Sequence, residues 1–275
     1  MSEPGVETAS GESARERMRA LVRRVAESCD LPTLPAVASQ ALVLARSPEA
    51  RIEDLAKLVL TDGPLAARVL KISRSVLYSR RYPPATLNDA IVTLGFGALR
   101  KILIAASARS AYHPDDAIAQ GLWEHALATA LAADELAAAA REPRGGDSFI
   151  AGLLHDVGKL VFHLSDPAGY RTIVDQGEAE EEALFGVSHA AVGACLAQQW
   201  GLDEEVAEAI LLHHTPDAPK LALRLAAADR IAHDLGYASG AGEALGPGLA
   251  DLEDARAAIA ERVSASFQSE RGAFD

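Results

Sequence analysis

Residues 126–140 read ALATALAADELAAAA, and no other feature restricts the fold as much. Alanine and leucine lose little side-chain entropy on entering a helix, so such a run favours helix strongly. Hydrophobic residues make up 49% of the 275 and aromatics only 5%, so the core must be built from Leu, Ala, Val and Ile. Alternating β-branched and aromatic runs closed by turns, the mark of strands, are nearly absent. The expected fold class is all-α.

Apolar spacing at i, i+3 and i+4 places helices over about 13–28, 36–46, 52–60, 64–73, 86–94 and 96–111. It continues over about 117–140, 147–163, 167–177, 188–200, 203–213 and 218–235. Pro83-Pro84 ends any earlier helix, and AYHPDDA (111–117) makes a second break. Four segments follow: a polar lead over 1–14, expected to be disordered, helices over 15–112, a helical bundle over 113–236, and a tail over 237–275. The tail reads as a Gly-rich linker and one amphipathic helix near 249–267.

A formal charge of −13 argues against general nucleic-acid binding, yet the charge is uneven. Between Gly63 and Ser110, Arg68, Lys71, Arg74, Arg80, Arg81, Arg100, Lys101 and Arg109 face Asp89 alone. Such a stretch is either a solvated helix face or a docking surface for an acidic signalling partner or a nucleotide phosphate. Cys29 and Cys195 have no paired spacing, so neither a disulfide framework nor a zinc ribbon is expected. The first twenty residues lack the apolar core of a signal peptide, and there is no uninterrupted apolar run of membrane-spanning length. A cytoplasmic protein is expected.

The polar residues of the second half stand in apolar settings: LWEHAL (His125), LLHDVGK (His155, Asp156), GVSHAAVGA (His189), AILLHHTP (His213, His214) and AAADRIA (Asp229). A buried carboxylate is costly unless paired or metal-bound. One such histidine alone reads as a satisfied core residue. Seven such groups on separate helices can converge on one site, and imidazole with carboxylate suits Mn, Fe, Co, Ni or Zn. Neighbours on a helix point about 100° apart, so His155 and Asp156 serve two metals only if these lie close together, with Asp156 as bridge. Which of His213 and His214 faces inward stays open. Trp123 and Trp200 read as core anchors, Cys195 as an inert buried thiol, and His113 and His163 as surface or helix-end residues. His233, one turn after Asp229, is expected to lie outside the site.

The order His … His-Asp … His … His-His … Asp resembles the HD superfamily of metal-dependent phosphohydrolases. LPTLPAVASQALVLA (31–45), DLAKLVLTDGPLAARVLKIS (54–73), LNDAIVTLGFGALRKILIA (87–105) and FIAGLLHDVGKLVF (149–162) narrow the resemblance to the HDOD domain, over roughly residues 25–236. That resemblance implies an N-terminal helical layer packed on an HD-type bundle and a role in bacterial signal transduction. Most such proteins have no established catalytic activity.

Against the related HD-GYP phosphodiesterases, His125, His155, Asp156, His189, His213, His214 and Asp229 match metal positions. Lys159 matches a phosphate-binding lysine, so Asp156 and Lys159 would be the catalytic pair, with two divalent metals such as Fe or Mn. Two departures stand out. TPDAPK follows His213-His214 where those enzymes carry a Gly-Tyr-Pro substrate loop, and Gly121 stands where trinuclear versions carry a glutamate, which makes a binuclear site the upper limit. Gly63 and Arg74 also depart from the usual residues of the N-terminal layer. The resemblance therefore implies a regulatory binding module with a divalent-metal site, with a metal-dependent phosphohydrolase as the alternative. A nucleic-acid-associated regulator is disfavoured by the acidity.

Overall fold

The computed structural model describes residues 36–47, 49–74, 83–141, 146–238 and 253–274, and all regular structure among them is helical. The lead over 1–14, the helix over 13–28, Cys29, Arg80, Arg81 and most of the Gly-rich linker lie outside the described residues.

The N-terminal layer consists of α1 (Ala36–Arg46), α2 (Ile52–Leu60), α3 (Gly63–Ser73) and α4 (Leu87–Arg109). Local chemistry fixes where these helices begin. Asp62 accepts from Leu65 N at 3.0 Å and Pro64 occupies the first turn of α3, where its missing N–H costs nothing. Thr86 and Asp89 form a reciprocal capping box at the start of α4. Gly95 interrupts α4 at φ 73°, a left-handed conformation that glycine takes without a Cβ penalty. The two helices expected over 86–94 and 96–111 therefore join across a kink. Leu55, Val59, Val69, Ile72, Leu99 and Leu103 are fully buried between these helices.

The bundle follows as α5 (Ala117–Ala139), α6 (Asp147–Leu154), α7 (Val157–Ser165), α8 (Pro167–Arg171), α9 (Glu178–Phe185), α10 (His189–Gln199), α11 (Glu204–Leu212) and α12 (Lys220–Asp234). Asp116 starts α5 by accepting from Ile118 N and Ala119 N. α5 is the central rod, packed on α6, α12 and the last helix, α13 (Glu253–Phe274). Its alanine-rich surface is buried along most of its length. Ile259, Val263 and Phe267, spaced by four, are the fully buried stripe of α13.

Three local expectations need correction. The helix expected over 147–163 breaks at His155-Asp156, where Asp156 takes φ −99° and ψ 10°. Both flanking segments are buried, so the apolar pattern runs through the break without marking it. The helix expected over 167–177 ends at Arg171, and a separate α9 follows in the acid-rich EAEEEALF. Its carboxylates suit the positive end of a helix, although its apolar content is too low to announce one.

His163 lies in the last turn of α7, as one of the two readings had it, but not at the surface. It is buried, with Nε2 2.6 Å from Asp116 Oδ2, and ties α7 to the cap of α5. Trp123 is fully buried as expected, Trp200 is half-buried, and Cys195 is a buried free thiol. α4 is long and apolar enough to cross a membrane, but 56% of its most apolar window is buried inside the fold. It also carries buried Lys101, paired with Asp134 at 2.9 Å. It is a core helix here.

Candidate metal centre

Gly158 sets up the site. A Cβ there would collide with the backbone of His189, so only glycine lets the start of α7 pack directly on the start of α10. That contact brings the His155-Asp156 junction against His189, the first residue of α10, whose N-cap Ser188 accepts from Ala191 N. His125 comes from the middle of α5, His213 and His214 from the end of α11, and Asp229 from α12.

The seven sequence-expected groups converge as two adjoining sets. In the first, His125 Nε2 lies 3.1 Å from both His155 Nε2 and Asp229 Oδ1, and 3.5 Å from Asp156 Oδ2. His155 Nε2 lies 3.6 Å from Asp156 Oδ2 and 3.8 Å from Asp229 Oδ1. In the second, His189 Nε2 is 3.2 Å from Asp156 Oδ1 and 3.1 Å from His214 Nε2. The His213 ring stands 3.9 Å from that of His214 and 5.4 Å from that of His189. Both members of the His213-His214 pair therefore face the cluster. Asp156 sends one oxygen to each set.

The far side of each ring explains this orientation. His125 Nδ1 pairs with Tyr237 O at 2.6 Å, His155 Nδ1 with Gly152 O at 2.9 Å, and His213 Nδ1 with Ile210 O at 2.7 Å. A carbonyl only accepts, so each Nδ1–H donates and each Nε2 faces inward, as a bare lone pair wherever the ring is neutral. His189 is held differently: Glu181 on α9, itself buried, accepts from both its Nδ1 and its backbone N at 2.7 Å. Glu181 is the principal residue that the sequence did not reveal. It stands eight residues before His189 as one of four acids in EAEEEALF, with nothing to mark it among its neighbours.

Electrostatics keep the set ready to bind a cation. Burial works to raise the Asp156 pKa, but the charges of His155, Lys159, His189 and His125 hold it well below the usual carboxylate range. Asp229 is likewise lowered, its bond to His125 overcoming burial. Burial lowers His155 to about 4 and pushes His213 well below the ordinary imidazole value. His125 goes the other way: burial opposes protonation, but Asp229 and Asp156 raise its pKa. Burial would discharge Lys159, yet Asp156, 2.8 Å from its Nζ, keeps it charged.

A divalent metal fits this arrangement. With both rings neutral, His125 and His155 would set two Nε2 lone pairs 3.1 Å apart, and a cation between them would satisfy both. His213 Nε2 is buried with no hydrogen-bond partner among the described residues, which a metal bond would remedy. With metal–nitrogen bonds of about 2.0–2.1 Å, ligand atoms of one ion stand about 3–3.5 Å apart. Most of the distances above have that spacing. The groups His189, His213, His214 and His125, His155, Asp156 each bring their ligand atoms within 4.8 Å of one another.

Two further elements reach the centre. His233, expected outside, lies with Nε2 3.7 Å from Asp229 Oδ1. α13 backs the His125 side: the Phe267 ring packs 4.0 Å from that of Tyr237, whose carbonyl holds His125, and Arg271 pairs at 2.7 Å with Glu124.

The basic stretch is arranged otherwise. Lys101 and Arg109 are buried, Arg68 donates to Ala106 O at 3.3 Å, and Arg100 lies 3.6 Å from Asp147. Lys71 and Arg74 are exposed, donating to Gly272 O and to Pro84 O and Ala85 O, respectively.

Known proteins share this arrangement of helices. A crystal structure of an HDOD domain protein of unknown function from Geobacter sulfurreducens matches with a TM-score of 0.71 and 28% identity, covering 90% of this chain and 89% of that one. A protein of Shewanella amazonensis SB2B, described as a candidate phosphohydrolase, matches with a TM-score of 0.72 and 25% identity over 93% of this chain and 98% of that one. An uncharacterized protein of Treponema pallidum (strain Nichols) is 28% identical over 200 residues, which span 70% of this chain but 39% of that protein. The sequence model of the HDOD domain matches residues 31–216, the region that holds the N-terminal layer and every site residue except Asp229 and His233. This chain belongs to the HDOD family.

Proposed function

We propose that this chain is a regulatory binding module of bacterial signal transduction, acting in the cytoplasm, whose bundle holds a binuclear divalent-metal centre. One observation carries this: Asp156 directs Oδ2 toward His125 and His155 and Oδ1 toward His189, as a carboxylate bridging two ions would. His125, His155 and Asp229 would hold one metal, and His189, His213 and His214 the other. Imidazole-rich sets of this kind suit Fe, Mn, Co or Zn. The buried Nδ1 bonds fix the rings before any metal arrives, which lowers the ordering cost of binding.

The alternative is hydrolysis of a nucleotide or cyclic-dinucleotide phosphodiester. Lys159 supports it, because a charged Nζ beside Asp156 is placed to hold a phosphate oxygen. Bound metals would supply an activated water and a clamp for the phosphoryl group. TPDAPK after His214, in place of a Gly-Tyr-Pro loop, favours binding over turnover. We retain as a proposal that Lys71 and Arg74 receive an acidic signalling partner or a nucleotide phosphate, and that the acidic chain does not bind nucleic acid.

The test is protein purified without chelator and loaded with Mn or Fe, offered mononucleotides and cyclic dinucleotides in parallel binding and hydrolysis assays. Metal-dependent binding without turnover supports the regulatory module. Turnover abolished by Asp156→Ala, with the circular dichroism spectrum intact, would establish the hydrolase instead.

A further inference from the structure

We propose that His233 is an additional metal ligand, completing the ion position formed by His125, His155, Asp156 and Asp229 from its solvent side. This rests on the binuclear centre proposed above and adds a residue to it. α12 places His233 one turn after Asp229, so both side chains leave the same face of the helix. His233 Nε2 stands 3.7 Å from Asp229 Oδ1, too far for a hydrogen bond yet near the spacing of two ligands on one ion. The His233 ring sits edge-on to that of His125, with centroids 5.3 Å apart and planes at 70°. The ligand atoms of His125, Asp229 and His233 all lie within 4.8 Å of one another.

Accessibility distinguishes this ligand from the others. The side chains of His125 and His155 are 0% and 1% exposed, whereas Asp229 and His233 are 14% and 13% exposed. His233 and Asp229 are therefore the more solvent-accessible groups around this ion position. A third imidazole makes this position richer in nitrogen and shifts its preference from Mg or Mn toward Fe, Co, Ni or Zn. It also occupies a coordination position that an exchangeable water would otherwise hold.

Cobalt(II) titration of metal-free protein tests this, read by calorimetry and by the visible d–d absorption of the bound ion. The expected wild-type result is two binding events per chain. In His233→Ala, one event weakens by about tenfold to a hundredfold and its d–d bands shift, while the other is unchanged. His233→Gln, which keeps the helix and the side-chain length, is read in place of His233→Ala if the latter does not fold. Two events with unaltered affinities and bands in the variant, while Asp229→Ala loses one, would overturn the role of His233 and leave the centre standing. No cobalt bound by the wild type would overturn both.

Discussion

The N-terminal layer and the bundle both bury charged side chains, but they satisfy them in opposite ways. At the seam between them, Lys101 of α4 meets Asp134 of α5 at 2.9 Å, with the Phe149 ring 5.1 Å from the ammonium. Arg109 donates to Tyr112 O and to Gln120 Oε1 and lies over Trp123. There each buried cation is held by protein acceptors. Around Asp156, inward imidazole lone pairs and two carboxylates are gathered with Lys159 as the single permanent cation described beside them. Closed pairs hold a fold together, whereas a surplus of acceptors is a demand for cations. That contrast separates the polar groups that close pairs from those proposed to hold metal.

The strongest way to break the contrast is Asp156→Ala. Loss of the shared carboxylate should take metal content from two ions per chain to fewer than one, measured by mass spectrometric metal analysis, with helical content retained. A variant that still binds two ions would remove Asp156 from the bridge.

Lys101→Met should do the reverse. Leaving Asp134 buried without this partner costs about 3–5 kcal/mol in urea unfolding, while metal stoichiometry stays the same. Lys101→Met with Asp134→Leu should recover most of that loss, because both ends of the pair are then apolar. Failure of the double variant to recover would mean that the seam depends on the charges themselves.

A smaller effect is expected at Glu181. Glu181→Gln keeps the shape but weakens the charge-assisted hold on His189 Nδ1, and should lower metal affinity at the His213 side by about tenfold to a hundredfold. Equal loss on the Asp229 side would show that Glu181 acts on folding, not on one ligand.

The last prediction concerns pH. His155 stays neutral in the folded chain down to about 4, and His213 is lowered further, whereas both take up protons near 6.5 once unfolded. The unfolded state then binds more protons in this window, so these groups stabilise the fold above pH 6.5 and lose that contribution as pH falls toward 4. His125, raised by Asp229, works against them but is one group against two. Metal-free protein should therefore have a lower urea midpoint at pH 5 than at pH 7.5. An unchanged midpoint would mean that the rings are already protonated in the fold.

Much of this was legible in the chain because its chemistry is local. A histidine or aspartate in an apolar helix stands out, and all seven such groups do converge. The helix starts read near 64, 86 and 117 fall within a residue of those found at Gly63, Leu87 and Ala117, where Asp62, Thr86 and Asp116 cap them. What stayed hidden depends on contacts across helices. The break at Asp156 lies within a continuous apolar pattern, beside the close approach of Gly158 to His189. Glu181 is one acid among many until α9 folds over His189, and His163 looks exposed until Asp116 meets it. The tie between α13 and His125 runs through a backbone carbonyl of Tyr237, which no side-chain pattern encodes.

Anomalous diffraction at a metal absorption edge, from crystals of protein purified without chelator and loaded with that metal, tests the central claim most directly. Two peaks are predicted, one on each side of the Asp156 carboxylate, the first within bonding distance of His125, His155 and Asp229 and the second of His189, His213 and His214. A map with no peak at Asp156, its six neighbouring groups joined only by water, would contradict the account.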